Sequence, residues 1–196
     1  MINGIIFLFI LLIAMITTIA TASFCVMFFL YLGKKKTFPK KLLLTSIIGL
    51  ALTVSYVGYR TYLFTLHDLE GEHQDGPMVS PEGTYTANTY YETYGGAAEG
   101  VNIWVGITYN EEEKLAKTIY YSEALSDFEI EWKTNDVLLI KNEDANYPSA
   151  SRSIELDVSK EIYHDAGLAC ESILMKDEYE YCYEKEEEDW RSKNEE

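Results

Sequence analysis

The chain has 196 residues and a formal net charge of −16 at pH 7. The charge is divided unevenly, because residues 1–69 contain six basic residues and one acidic residue, whereas residues 70–196 contain ten basic and 31 acidic residues. Such an acidic segment repels nucleic-acid phosphates and anionic lipid headgroups. The composition therefore excludes DNA and RNA as partners and predicts a boundary near residue 69.

Two long apolar runs near the N-terminus predict membrane-spanning helices. Residues 5–32 carry no charge and no polar stripe, and residues 42–59 are about long enough to cross a hydrocarbon core of ~30 Å. The second span extends to about residue 62 through an aromatic segment typical of membrane interfaces. It also contains hydroxyl and glycine residues that suit close helix contact in a membrane, at Thr45, Gly49, Thr53 and Gly58.

The connector between the runs, residues 33–41, is strongly basic. Its five lysines are Lys34, Lys35, Lys36, Lys40 and Lys41. Positive charge in a short loop is typical of the cytoplasmic side of a membrane. We therefore predict a two-helix hairpin over residues 1–66, with a cytoplasmic connector and with both termini outside the cytoplasm.

A processed N-terminus is the competing interpretation of the first run. A signal peptide would begin with basic residues, and none precedes residue 5. A lipoprotein leader would use Cys25, but Phe24 stands where a small residue is required. Cys25 is more simply interpreted as a thiol buried in the membrane.

The remainder of the chain is predicted to be mostly β-structure. Residues 67–83 are rich in glycine, proline and charge and are predicted to be an exposed linker. Alternating apolar and polar residues then predict strands, because side chains along a strand point to opposite faces in turn. The predicted strands are 84–91, 102–109, 116–121, 128–132, 137–140 and 154–158. The predicted fold class is α+β: a transmembrane helical hairpin followed by a small antiparallel β-sheet or sandwich over residues 84–165.

Residues 166–196 form an acidic C-terminal extension. Acidic residues and tyrosines alternate over residues 178–184, which fits a strand with three tyrosines on one face or a frayed helix. Residues 184–196 are dense in charge and are predicted to be disordered.

A series of turn and strand motifs follows the second span. It consists of a Ser-Pro-Glu-Gly-Thr-Tyr start at 80–85, a Gly-Gly-Ala turn at 95–97, Ile-Glu-Trp at 130–132, Asn-Asp-Val at 135–137 with a strand through Ile140, and Leu-Asp-Val at 156–158. Over roughly residues 78–165 the chain thereby resembles an uncharacterised domain family of small membrane-anchored proteins from Gram-positive bacteria. The resemblance implies a membrane-anchored β-domain and implies no catalytic residues.

One cluster near the second span has side chains suited to a divalent metal. Its members are His67, Asp68, Glu70, Glu72, His73 and Asp75. Their spacing matches no helix or loop metal site, and a solvated linker is the simpler interpretation. The sequence predicts no other metal site and no cofactor.

Two cysteines follow the predicted β-domain. The spacing of Cys170 and Cys182 permits a disulfide in an oxidising compartment, and two free thiols are the alternative. A nucleophilic pair of Cys170 with His164 is conceivable, but acidic neighbours oppose formation of a thiolate. Motifs of hydrolases, phosphate loops and dinucleotide sites are absent from the sequence. We therefore predict no enzymatic activity.

The leading functional hypothesis is a membrane-tethered, extracytoplasmic interaction domain. Its partners would be the lipid bilayer and an envelope or membrane protein, or another envelope component, contacted through a tyrosine-rich sheet surface. The alternative is an accessory subunit of a membrane complex that acts through its transmembrane hairpin. A cell-envelope hydrolase is a third hypothesis.

Overall fold

The computed structural model describes residues 2–33, 37–67, 69–95, 100–111 and 116–185. It divides into two compact units, Met1–Thr61 and Tyr62–Glu196. The first unit contains the predicted hairpin, and the second contains the predicted β-domain.

Two helices, α1 (Ile2–Leu32) and α2 (Lys40–Tyr62), are long and apolar enough to cross a membrane. They contact each other where Gly49 faces Thr17, because a Cβ atom at Gly49 would overlap the threonine side chain. The ring of Phe38 packs against the end of α1, 5.4 Å from Tyr31 and 6.3 Å from Phe28. These contacts confirm the helical hairpin.

Among its described residues, the second unit contains nine strands and one short α-helix, α3 (Leu168–Glu171). The strands are β1 (Glu72–Val79), β2 (Tyr85–Tyr94), β3 (Gly100–Tyr109), β4 (Ala116–Glu123), β5 (Asp127–Trp132), β6 (Val137–Glu143), β7 (Ile154–Asp157), β8 (Glu161–His164) and β9 (Tyr181–Tyr183). One sheet has the order β1-β2-β3-β4-β8-β9, and the other has the order β5-β6-β7. Pairing is antiparallel except for β4–β8 and β8–β9. The predicted α+β class is confirmed.

The main core contains apolar side chains from both sheets. In β3 the alternating residues Ile103, Val105 and Ile107 are buried, as the period of two predicts. From the small sheet, Leu138 and Ile140 of β6 belong to the same buried cluster. We call the face of the large sheet that carries these residues its inner face.

A buried polar network joins the two sheets. The Asn142 side chain is fully buried, and its Nδ2 donates to the Tyr120 hydroxyl at 2.8 Å and to the Glu123 carbonyl at 2.9 Å. The Tyr120 hydroxyl in turn donates to the Arg152 carbonyl at 2.9 Å. Arg152 lies 2.7 Å from the Asp165 carboxylate. Buried polar groups need such partners, so this network stabilises the contact between the sheets.

Two of the motifs that carry the family resemblance, at residues 80–85 and 135–137, form turns that contact each other, whereas residues 96 and 97 of the predicted Gly-Gly-Ala turn lie outside the described residues. Ser80 Oγ donates to Asn135 Oδ1 at 2.9 Å and accepts from the Tyr85 amide at 3.1 Å. The Asn135 amide group also lies 3.3 Å from Thr84 Oγ1. Gly83 has a φ of +78°, a conformation that side chains disfavour. These residues therefore have structural roles.

Two predicted boundaries are wrong. The predicted linker, residues 67–83, contains strand β1, which pairs with β2 at the edge of the large sheet. Charge and proline are common on edge strands, so the composition of an edge strand resembles that of a linker. The β-domain also does not end at residue 165, because α3 and β9 lie within the predicted extension. Residues 186–196, predicted to be disordered, lie outside the described residues.

Candidate ligand-binding groove

A continuous row of aromatic and imidazole rings crosses the six-stranded sheet on the face opposite the inner face, which we call the outer face. Neighbouring ring centroids are 5.1–6.2 Å apart. The row consists, in order, of His73, Tyr90, Trp104, Tyr121, His164 and Phe64. The register of the strands places each ring on β2, β3, β4 and β8 directly beside the next. Cross-strand aromatic pairs of this kind stabilise a sheet.

Two segments cover part of this row and form a second apolar cluster. One segment follows α2 and contributes Leu66; the other lies in the C-terminal part and contributes Ala169 and Met175. Ile162 of β8 completes the buried set. The C-terminal segment thus belongs to the folded domain, where it covers the outer face.

A groove of about 890 Å³ remains between the covering segments and the sheet. Gly106 and Trp104 of β3 and Tyr90 of β2 form its floor. Its walls are formed by residues before β1 and by residues of β4 and the C-terminal segment: Leu66, His67, Leu69, Glu70, Gly71, Ala116, Lys117, Thr118, Met175, Glu178 and Tyr179, with Tyr109 at the end of β3. This volume lies in the range of ligand pockets, about 300–1,000 Å³.

The half-buried side chain of Lys117 is fixed in one wall of the groove. Its Nζ lies 3.7 Å from the centre of the Tyr179 ring and donates to the Glu178 carbonyl. Burial lowers the pKa of Lys117, and the nearby Glu178 carboxylate partly opposes this shift. The Tyr179 hydroxyl donates to the Thr118 carbonyl at 2.5 Å, and burial raises the pKa of Tyr179. The wall is therefore held by a cation–π contact and two hydrogen bonds.

His164 lies beneath the covering segments with 2% of its surface exposed. Its Nδ1 accepts from the Ala166 amide at 3.2 Å, and its ring stacks on Tyr121. Burial lowers the pKa of His164 to about 4. Among the described residues, its Nε2 has no hydrogen-bond partner. The imidazole is therefore neutral at physiological pH and serves as part of the ring row.

The described members of the predicted metal cluster do not come together. His67 Nε2 lies 3.3 Å from the Glu178 carboxylate, whereas Glu72 accepts from the Tyr91 hydroxyl at 2.6 Å. His73 packs against Tyr90 in the ring row. Glu72 and His73 are consecutive residues of β1, so their side chains point to opposite faces of the sheet. Asp68 lies outside the described residues, and elsewhere in the described chain no three His, Cys, Asp or Glu side chains form a metal site.

The remaining predicted site residues have clear positions. Cys170 and Cys182 are joined by a disulfide. The conceivable pair of Cys170 with His164 therefore has no free thiol. Lys40 and Lys41 begin α2, whereas Lys34, Lys35 and Lys36 lie outside the described residues.

Sequence reasoning did not find the groove. Its floor and its walls come from segments that are distant in the chain, between Leu66 and Tyr179. A signal was present at Gly106, a glycine on the outer face of β3 two residues from the large Trp104. A glycine within a strand often marks a close approach of another group.

One of the comparisons with known proteins supports the resemblance to an uncharacterised domain family. No curated protein and no solved structure matches the chain. One family model matches residues 36–164, which are more than half of the chain, from a point between α1 and α2 to the end of β8. The protein therefore belongs to the family of unknown function DUF5412.

Proposed function

We propose that this protein is a membrane-tethered, extracytoplasmic binding domain that holds a ligand in the groove on the outer face of its large sheet. The observation that carries the proposal is the groove itself. It is large enough for a small molecule or a polymer segment, its floor is aromatic, and polar groups converge on it from two walls.

The lining of the groove suggests the chemistry of the ligand. Tyr90 and Trp104 provide aromatic surface. Lys117, Thr118 and Glu70 provide hydrogen-bond donors and acceptors. Such a mixture suits a cell-envelope component that combines ring or apolar faces with hydroxyl and amide groups. We propose binding without catalysis, because Lys117 and Tyr179 are engaged with each other and His67 with Glu178.

Two observations support a location outside the cytoplasm. Five lysines lie in the connector and at the start of α2, which favours a cytoplasmic position for this end of the hairpin. The Cys170–Cys182 disulfide lies after α2 in the chain, and disulfides persist mainly in oxidising compartments. Both features are consistent with the β-domain lying on the outer side of the membrane.

Filling the floor of the groove tests the proposal. A Cβ atom at Gly106 would lie 3.4 Å from the Tyr90 ring, an ordinary van der Waals contact. We expect Gly106→Ala to fold normally and Gly106→Val to extend into the groove. The probe is a mixture of disaccharide-peptides released from peptidoglycan by a muramidase, titrated calorimetrically into the full chain in nanodiscs. Affinity should fall from wild type to Gly106→Ala to Gly106→Val.

A pair of lysine substitutions tests whether the ligand is recognised through the polar wall of the groove. Lys117→Met removes the fixed cation of the groove, whereas Lys133→Met removes an exposed cation that pairs with Glu131 on the small sheet. Weaker binding by Lys117→Met alone supports the groove as the site. Absence of binding by the wild type, or equal binding by wild type and Gly106→Val, would refute this assignment.

An accessory role for the hairpin is the second candidate. Gly49 is used within the hairpin, where it faces Thr17, whereas a Cβ added at Gly58 would meet no atom within 4 Å among the described residues outside its own stretch of helix. Gly58 thus offers an open surface for another membrane helix. The two candidates differ in what they predict when the hairpin is exchanged for an unrelated two-span anchor. Function would be lost if the hairpin itself is the interface, and it would be preserved if the groove is the functional site.

A further inference from the structure

We infer that the turn formed by residues 172–176 lies on the bilayer surface and places Ile173 and Leu174 among the lipid headgroups. This inference rests on the membrane anchoring in the proposed function, and it is independent of what the groove binds. It adds a second, lipid-contacting surface to the β-domain.

A hydrogen bond fixes this turn beside the end of the second span. The Ile173 amide donates to the carbonyl of Tyr62 at 3.0 Å, and Tyr62 is the last residue of α2. A helix of 23 residues rises about 34 Å at 1.5 Å per residue, close to the thickness of a hydrocarbon core. A helix that spans the core must therefore end at the interface, and the Ile173 backbone lies within hydrogen-bonding distance of that end.

A second hydrogen bond holds the turn in the same place. Ser172 is fully buried, and its hydroxyl donates to the Phe64 carbonyl at 2.6 Å. Phe64 in turn packs its ring edge-on against buried His164, with centroids 5.1 Å apart. The turn also lies in the loop that the Cys170–Cys182 disulfide closes. The position of the turn is thus set by the folded domain and by the segment that leaves the membrane.

Two of the exposed side chains of this turn are apolar, and they precede the exposed, charged Lys176. Ile173 is 60% exposed and Leu174 is 48% exposed, although the neighbouring Met175 is buried. Tyr62 and Leu63, at the end of α2, are 54% and 44% exposed. Water makes such a group of exposed apolar side chains unfavourable, whereas the interfacial layer of a bilayer accepts aliphatic and tyrosine side chains.

The charge of the domain explains why apolar side chains are suited to this contact. Residues 70–196 carry a large excess of acid, which anionic headgroups repel. Insertion of Ile173 and Leu174 requires no positive charge, so the contact forms on zwitterionic lipid as well. The surface therefore differs in kind from a polybasic membrane patch.

Fluorescence quenching by lipid tests the position of the turn. Ile173→Trp and Leu174→Trp each introduce an indole at an exposed site of the full chain. Tyr147→Trp is the control, because Tyr147 is also exposed, at 68%, but lies in the loop between β6 and β7. The proteins are placed in nanodiscs of phosphatidylcholine with or without bromine on the acyl chains, and the emission of wild type is subtracted.

We expect bromine to quench the added emission of the Ile173 and Leu174 variants and to leave that of the Tyr147 variant unchanged. Equal emission in both lipids for the first two variants overturns the inference, as does equal quenching of all three. Flotation of the protein with phosphatidylcholine vesicles tests anchoring separately. A chain that floats but shows no quenching contradicts only the placement of the turn, whereas a chain that does not float contradicts the tether. A non-reducing gel checks that each variant retains its disulfide.

Discussion

Acidification should destabilise the β-domain through His164. Its ring is buried between Tyr121 and Phe64, and burial lowers its pKa from 6.5 to about 4. The folded chain thus favours the neutral imidazole, whereas the unfolded chain protonates it near pH 6.5. Stability from this group is complete above pH 6.5 and is lost as the pH falls toward 4. Between pH 7.5 and pH 5, linkage gives a loss of about 2 kcal/mol.

The variant His164→Asn isolates this contribution. An asparagine oxygen can accept the Ala166 amide hydrogen in place of Nδ1, but it does not titrate. The free energy of unfolding is measured for the full chain in detergent micelles, by urea denaturation at pH 7.5 and at pH 5. We expect the stability difference between wild type and variant to shrink by about 2 kcal/mol at the lower pH.

His73→Asn serves as the matched control, because His73 belongs to the same ring row but is exposed on β1. The stability difference between wild type and this variant should change little between the two pH values. A stability difference between wild type and His164→Asn that is independent of pH would refute the conclusion that the imidazole is buried and neutral.

Two further predictions concern the disulfide and the hairpin. The free energy of unfolding should be about 3 kcal/mol lower for the double variant Cys170→Ala/Cys182→Ala, because the disulfide closes a loop between cysteines 12 residues apart. Urea denaturation of the variant and of oxidised wild type measures this difference. An equally stable variant would show that the bond does not restrain the unfolded chain. Gly49→Leu should lower the midpoint of thermal unfolding in detergent, since its Cβ alone overlaps Thr17. Gly58→Leu should leave the midpoint unchanged, since a Cβ at Gly58 lies more than 4 Å from the described residues outside its own stretch of helix. Equal midpoints for the two variants would contradict the observed helix contact.

Features that depend on a short stretch of chain could be predicted from the sequence. The hairpin follows from the length of two apolar runs, and β3 and β5 follow from alternating side chains. In β5, the alternation places Phe128, Ile130 and Trp132 on one face, and all three belong to or pack against the main core. Each of these signals lies within a few residues of the element that it predicts.

Features that depend on distant contacts could not be predicted. The acidic segment 178–184 fits a strand or a helix by sequence alone, and only the pairing with β8, where Cys182 lies opposite Ile162, decides in favour of strand β9. The parallel pairing of β4 with β8 likewise brings Tyr121 beside His164 across a long separation in the chain. The ring row and the groove both require this register, so neither can be read from local patterns.

The central claim is that the β-domain lies outside the cytoplasm with its disulfide intact. It is tested most directly by labelling intact cells that express a Cys25→Ser variant with a membrane-impermeant thiol reagent. In this variant only Cys170 and Cys182 remain. We predict labelling of intact cells after mild reduction and none before it. Labelling that appears only after lysis, under the same reducing conditions, would place the domain in the cytoplasm and contradict the account.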